Sequence, residues 1–314
     1  MAQFTIFTAH QLPAMAKFRT NHVRKGQGGG GTIIRVALFA AILSGLFLGY
    51  EYLTRPAMRA TNEEIVTPAD TIDDRSFYVP TGHSGEVITY PYFSLAYSEE
   101  HEQAEWVAYI LTRDRLQSPR VARPDEYRPD SNLSAGSAEQ KDYKASGYDR
   151  GHLVPAADMA FSTGAMEQTF VYSNISPQAR DFNTGIWREL EENVRIWAQR
   201  FKKLYIITGP VLPDSGKGRI GENRVTVPSA FYKVILDLSE PQQKAVAFLI
   251  PNEVTYKPLY DFVVSIDQIE EQTGLDFFPE LMTDAMEDSL EAVSNIDLWP
   301  LSKARHDARQ KRLQ

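Results

Sequence analysis

"TFVYSNISPQARDFNTGIWRELEENVRIWAQRFKK", Thr169 to Lys203, contains the passage from one kind of secondary structure to another. Its first residues are aromatic and β-branched and read as a strand, "TFVYSNIS". From Thr184 the period changes. Trp187, Leu190, Val194, Trp197 and Phe201 follow at spacings of 3, 4, 3 and 4, the core-facing stripe of an amphipathic helix. Both tryptophans are therefore core residues first. Asn174 ends the strand, and Asn183, beside Thr184, opens the helix. The plain reading of Asn183 is a helix cap; the chemical one is a hard amide oxygen able to hold Mg²⁺. Glu191 and Arg195 lie four apart on the helix face next to Trp187, as an ordinary ion pair or as a carboxylate and a guanidinium facing a ligand. Eight residues of ideal helix rise about 12 Å. Asn183 and Glu191 then cannot both ligate one ion directly, and Glu191 would act through metal-bound water.

Upstream, "SGYDRGHLVPAADM", Ser146 to Met159, carries one of the chain's six histidines. An imidazole titrates near neutrality and can take a proton from water. In extended backbone Arg150 falls on the same side as His152, and guanidinium binds phosphate oxygens in bidentate fashion. One group clamps an anion while the other activates a nucleophile, which suits phosphodiester chemistry. Gly147 and Gly151 allow a tight turn and close approach of a large substrate. Asp149 can orient the loop or accept a hydrogen bond. The competing reading of the motif alone is a surface turn with a structural histidine.

Further out, "EVITYPYFSLAYS", "KLYIITGPVL", "RVTVPSAFYKVILDL" and "KAVAFLIP" read as strands, the last two joined across "SEPQQ" as a hairpin. "VSIDQIEEQTG" reads as a helix stopping at Gly274, and "PELMTDAMEDSLEAV" as another. The fold class is α+β, with a domain over residues 73–300 and a basic tail, 301–314, read as solvated, a phosphate-contacting tail being the alternative. The formal charge of −8 removes any global attraction to nucleic acid, so a polyanion would need a local basic cleft. With no cysteine, disulfides, zinc-thiolate sites and thiol catalysis are excluded. "IIRVALFAAILSGLFLGY", Ile33 to Tyr50, approaches the ~20 apolar residues needed to span a bilayer. Basic residues before it place a leader, 1–32, in the cytoplasm and residues after a linker, 51–72, across the membrane. Cleavage as a signal peptide at Ala57-Met58-Arg59-Ala60 is the alternative.

"DRGHLVPAADM", "SNISPQARDFNTGIWRELE", "ITGPVL" and "VPSAFYKVILD" occur in that order, and together they resemble the DNA/RNA non-specific endonuclease family, which includes endonuclease G-like enzymes. The resemblance implies a ββα-metal (His-Me finger) domain, with a central, mainly antiparallel sheet flanked by helices. It implies that His152 is the general base and that Asn183 is the sole direct protein ligand of Mg²⁺, with Mn²⁺ able to substitute. Glu191 would hold metal-bound waters, and Arg150 and Arg195 would contact phosphate. Asn174 would position His152. A further phosphate arginine would come from Arg120, Arg123 or Arg128. The implied reaction is metal-assisted hydrolysis of DNA and RNA leaving 5′-phosphate; homodimers are common among such enzymes. The expected location is a bacterial inner membrane with the enzyme domain outside the cytoplasm. The alternatives are a mitochondrial inner membrane or secretion. Two competing functions stay open: a phosphodiesterase or phosphatase for small or lipid-linked phosphates, and a catalytically inactive nucleic-acid-binding membrane protein.

Overall fold

A strand with apolar residues on both faces belongs in the middle of a sheet, and 103–112 is such a segment. The computed structural model describes residues 78–212 and 217–314. Its main sheet runs in the order β1 (Glu86–Thr89), β2 (Phe93–Ser98), β3 (Gln103–Thr112), β6 (Lys203–Val211), β9 (Ala230–Asp237), β10 (Lys244–Pro251), β11 (Val263–Val264). Every neighbouring pair is antiparallel. Two ribbons stand apart from it: β4 (Asp149–His152) with β5 (Ile175–Gln178), and β7 (Arg219–Ile220) with β8 (Val225–Thr226). The longer helices are α1 (Arg188–Phe201), α2 (Ile266–Thr273), α3 (Asp284–Glu291) and α4 (Lys303–Leu313).

The pleat sends alternate side chains to opposite faces. Val107, Tyr109 and Leu111 of β3 join Leu204, Ile206, Phe231, Ile235, Val246 and Phe248 under α1, whose stripe of Trp187, Leu190, Val194 and Trp197 is buried as its spacing requires. Trp106, Ala108 and Ile110 point the other way, with Ile207, Tyr232 and Val234, against Ile266 and Ile269 of α2. The result is three layers, helix–sheet–helix. The hairpin expected across "SEPQQ" forms, with Asp237 opposite Lys244.

Three expectations are corrected. The strand list omitted β3, the neighbour of β6 near the sheet's centre, because burial on both faces leaves "WVAYIL" without the alternation that marks a half-exposed strand. Tyr172–Asn174 is a 3₁₀ turn and the strand begins at Ile175, so Asn174 precedes the strand it was expected to end. The basic segment after residue 301 is no solvated tail. Lys303–Leu313 is helical and buries Arg309 to 1% exposure. The leader, the apolar run 33–50 and the linker lie outside the described residues. Among the described residues no helix is long and apolar enough to cross a membrane.

Candidate active site

The β4–β5 ribbon carries the first half of the site. Gly147, at φ +84°, turns the chain into β4. Gly151 has another task than the turn expected of it. It lies opposite Ser176 in the ribbon, and a Cβ there would sit 2.1 Å from Cδ of the buried Gln178, so only hydrogen fits. Arg150 and His152, two apart, reach the same cleft. The His152 ring packs edge-on to Phe170, centroids 4.9 Å apart, and 5.5 Å from Tyr127. Burial lowers its pKa from 6.5 to about 3, helped by the nearby charges of Arg123 and Arg150. The imidazole is therefore neutral at physiological pH, the state that can accept a proton.

Asn174 fixes the backbone just beyond that histidine. Its carboxamide oxygen accepts from Val154 N at 2.8 Å, its amide donates to the carbonyls of Val154 (3.1 Å) and Thr169 (2.9 Å), and its own carbonyl accepts from Leu153 N (3.0 Å). Asn174 is wholly buried and takes no part in the cleft wall.

Between β5 and α1 the chain makes a π-helical turn, Phe182–Trp187, kinked at Gly185 (φ −98°, ψ −110°). Such turns are widened relative to an α-helix and concentrate at functional sites. Asn183 lies inside this turn and caps nothing; the residue preceding the turn is Asp181. The Asn183 amide donates to Asp149 Oδ2 at 3.1 Å. A carboxylate only accepts, so the NH₂ end must face Asp149. The carboxamide oxygen is left for the cleft.

The face of α1 supplies Glu191 and Arg195. Arg195 donates to Asp158 Oδ1 at 2.8 Å, and Tyr109 Oη donates to the other oxygen of Asp158 at 2.9 Å. Burial pushes the Glu191 carboxyl above its ordinary range, against the pull of Arg195 and Lys233. Lys233 of β9 is fully buried, its Nζ 4.8 Å from the Trp187 ring centroid and without a hydrogen-bond partner among the described residues. Burial lowers its pKa, and Glu191 and Asp158 oppose that shift.

These elements enclose a cleft of about 430 Å³ lined by Arg123, Tyr127, Arg150, His152, Asn183, Glu191 and Arg195, with Arg188 and Glu192 on its edge. The geometry thus brings together five of the six residues singled out in the sequence and sets Asn174 behind them. Of Arg120, Arg123 and Arg128, Arg123 is the one on the cleft, its guanidinium 5.3 Å from the Phe170 ring centroid. Arg128 is engaged through its backbone with Phe170 and Tyr172. Arg150 stacks over Tyr127 at 4.4 Å, which restrains its stem while leaving its N–H edges for an anion. A carboxamide oxygen and a carboxylate form a hard donor set, which suits a small divalent cation that keeps several waters. Sequence reading missed Asp158 and Lys233. Lys233 had a signal, a lone charge in the apolar strand "AFYKVIL". Asp158 had none, since an aspartate after two alanines looks like any loop acid.

The profile of the DNA/RNA non-specific endonuclease family matches residues 75–284. The mitochondrial nuclease EXOG of Danio rerio is 35% identical over 209 residues, 62% of this chain and 61% of that protein. Mitochondrial endonuclease G of Homo sapiens is 35% identical over 215 residues, 64% of this chain and 72% of its own. Nuclease C1 of Cunninghamella echinulata var. echinulata is 34% identical, with 60% and 81% covered. The chain therefore spans about three fifths of the length of the EXOG relatives. A crystal structure of the EndoG/EndoGI complex superposes with a TM-score of 0.59 at 28% identity, over 64% of this chain and 89% of that one.

Proposed function

The chain belongs to the DNA/RNA non-specific endonuclease family, and from that premise we propose that it is a metal-dependent endonuclease cutting phosphodiester bonds of DNA and RNA. The observation that carries this reading is the meeting in one cleft of a neutral imidazole, a presented carboxamide oxygen, a half-buried carboxylate and four arginines. His152 takes the proton from the attacking water at a ring nitrogen. Arg150 and Arg123 bind the scissile phosphate from the ribbon side, and Arg195, anchored on Asp158, from the helix side. Asn183 would hold a divalent cation, Mg²⁺ or Mn²⁺, directly and Glu191 through water; when bound, it supplies charge stabilisation to the phosphorane and the leaving 3′ oxygen. Contacts confined to phosphate leave the sugar unread, so DNA and RNA serve alike.

The apolar run 33–50 and its basic flank support a membrane anchor ahead of the enzyme. Relatives named mitochondrial fit a mitochondrial location as the alternative to a bacterial one. The function is tested by incubating the protein with supercoiled plasmid and with RNA. Both are degraded, EDTA stops the reaction, and Mg²⁺ or Mn²⁺ restores it. Turnover indifferent to chelation removes the metal assignment. Hydrolysis of a bis-aryl phosphodiester with both polymers untouched would replace the nuclease by a small-phosphate esterase.

A further inference from the structure

Helix α4 lies beyond residue 284, where the family match ends. Its apolar content is slight, and what holds it in place is a stripe of arginines. Arg305, Arg309 and Arg312 are spaced 4 and 3 apart, one face of a helix. Each lands on the segment that carries the site. Arg309 donates from Nε to Glu189 Oε2 at 2.5 Å, and from its two Nη to the carbonyls of Thr255 (2.6 Å) and Lys257 (2.7 Å). Glu189 is 5% exposed and stands two positions before Glu191. The stem of Arg309 passes Gly185, where a Cβ would lie 3.9 Å from Arg309 Cδ. Arg312 donates to the carbonyl of Thr184, next to Asn183. Arg305 pairs with Glu192 at 2.9 Å.

A buried ion pair adds little net stability over an apolar pair of the same shape, while removing one partner is strongly unfavourable. What such a pair supplies is a fixed geometry. Here the three contacts bracket the π-helical turn and the first turn of α1, the stretch from which Asn183 and Glu191 project. We propose that α4 is a positioning element of the active site: its arginine stripe holds the 182–192 segment in register with the β4–β5 ribbon, and Arg309 and Arg312 are positioning residues for Asn183. This rests on the nuclease reading of the cleft.

The test uses the full chain with Arg312→Ala, Arg309→Met combined with Glu189→Gln, and Arg309→Lys. Hydrogen exchange over 182–192, Mn²⁺ affinity by titration calorimetry, kcat and KM on plasmid, and Tm are measured for each. In Arg312→Ala we expect an unchanged Tm, faster exchange in 182–187, and Mn²⁺ affinity and kcat both lower by about 10-fold with KM unchanged. Arg309→Lys recovers part of what the double variant loses. Normal exchange and Mn²⁺ affinity in Arg312→Ala overturn the proposal, whatever the fate of the Arg309 variants. A rise in KM alone also overturns it and makes α4 a substrate-binding helix. If the wild-type protein cuts no nucleic acid, the nuclease reading fails separately, and exchange and Mn²⁺ binding still decide the role of α4.

Discussion

The two helical layers of the sheet carry opposite charge. On one side α2 and α3 present Asp267, Glu270, Glu271, Asp284, Glu287, Asp288 and Glu291, with no lysine or arginine in either helix. On the other, the cleft between the β4–β5 ribbon and α1 gathers Arg123, Arg150, Arg188 and Arg195. Tryptophan is buried on both faces of the sheet, Trp187 and Trp197 of α1 on one and Trp106 of β3 on the other, so the two faces are packed alike while their electrostatics differ. A formal charge of −8 is therefore no obstacle to a polyanionic ligand. The acid sits behind the sheet, and the resulting field turns a polyanion toward the basic side. The isoelectric point of a chain describes its sum, whereas binding follows its distribution.

The strongest break in that symmetry is chemical. His152→Ala should lower kcat for plasmid nicking by about 10²–10⁴-fold with the circular dichroism spectrum intact; a variant as active as the parent would leave the basic side with charge but no chemistry. Packing should show no such asymmetry. Trp197→Ala under α1 and Trp106→Ala on the opposite face should each cost about 3–5 kcal/mol in urea unfolding, and a several-fold difference between them would mean that one layer is loosely packed.

The pH dependence of stability should divide the layers again, with opposite sign. His152, lowered from 6.5 to about 3 by burial, binds fewer protons folded than unfolded. Its contribution is present above pH 6.5 and is lost as pH falls through that window toward 3. Glu291, raised from 4.5 to about 9 by burial and then by Glu270 and Glu287, binds more protons folded. Its contribution is present below pH 4.5 and is lost as pH rises toward 9. His152→Gln should flatten the acid limb of stability against pH and Glu291→Gln the alkaline limb; the same limb responding to both would erase the distinction. The smallest effect concerns salt. Arg150→Ala should reduce the slope of log affinity against log salt by about 1, while Glu271→Gln and Asp288→Asn, behind the sheet, should leave it unchanged.

How far this could be read from sequence depended on how local each feature is. The stripe from Trp187 to Phe201 is a matter of spacing within one helix, and it is buried as spacing demands. The pairing of Arg150 with His152 on one side of a strand follows from the pleat alone. β3 escaped because a strand packed on both faces loses its period. The π-helical turn escaped because no pattern within "DFNTGIW" marks a kink at Gly185, and the turn's partner Arg312 lies far along the chain. The choice of Arg123 over Arg120 and Arg128 is a question of which loop position meets Phe170, and no pattern within "SPRVARPDEYR" encodes it. Arg309 itself looked like one more solvated charge, since nothing within 301–314 announces Glu189, more than a hundred positions away.

The hydrogen bond from Asn183 to Asp149 bears on how ready the site is before anything enters it. A free asparagine side chain is a rotor whose two ends differ little in shape. Here an acceptor-only neighbour stops the rotor during folding with the oxygen end outward, so about 1 kcal/mol of ordering falls on the fold and not on the cation proposed to bind there. The same feature makes the position chemically fragile. Deamidation of Asn183 would set two carboxylates face to face at 3.1 Å, turning the proposed cation ligand into a source of repulsion in ageing protein.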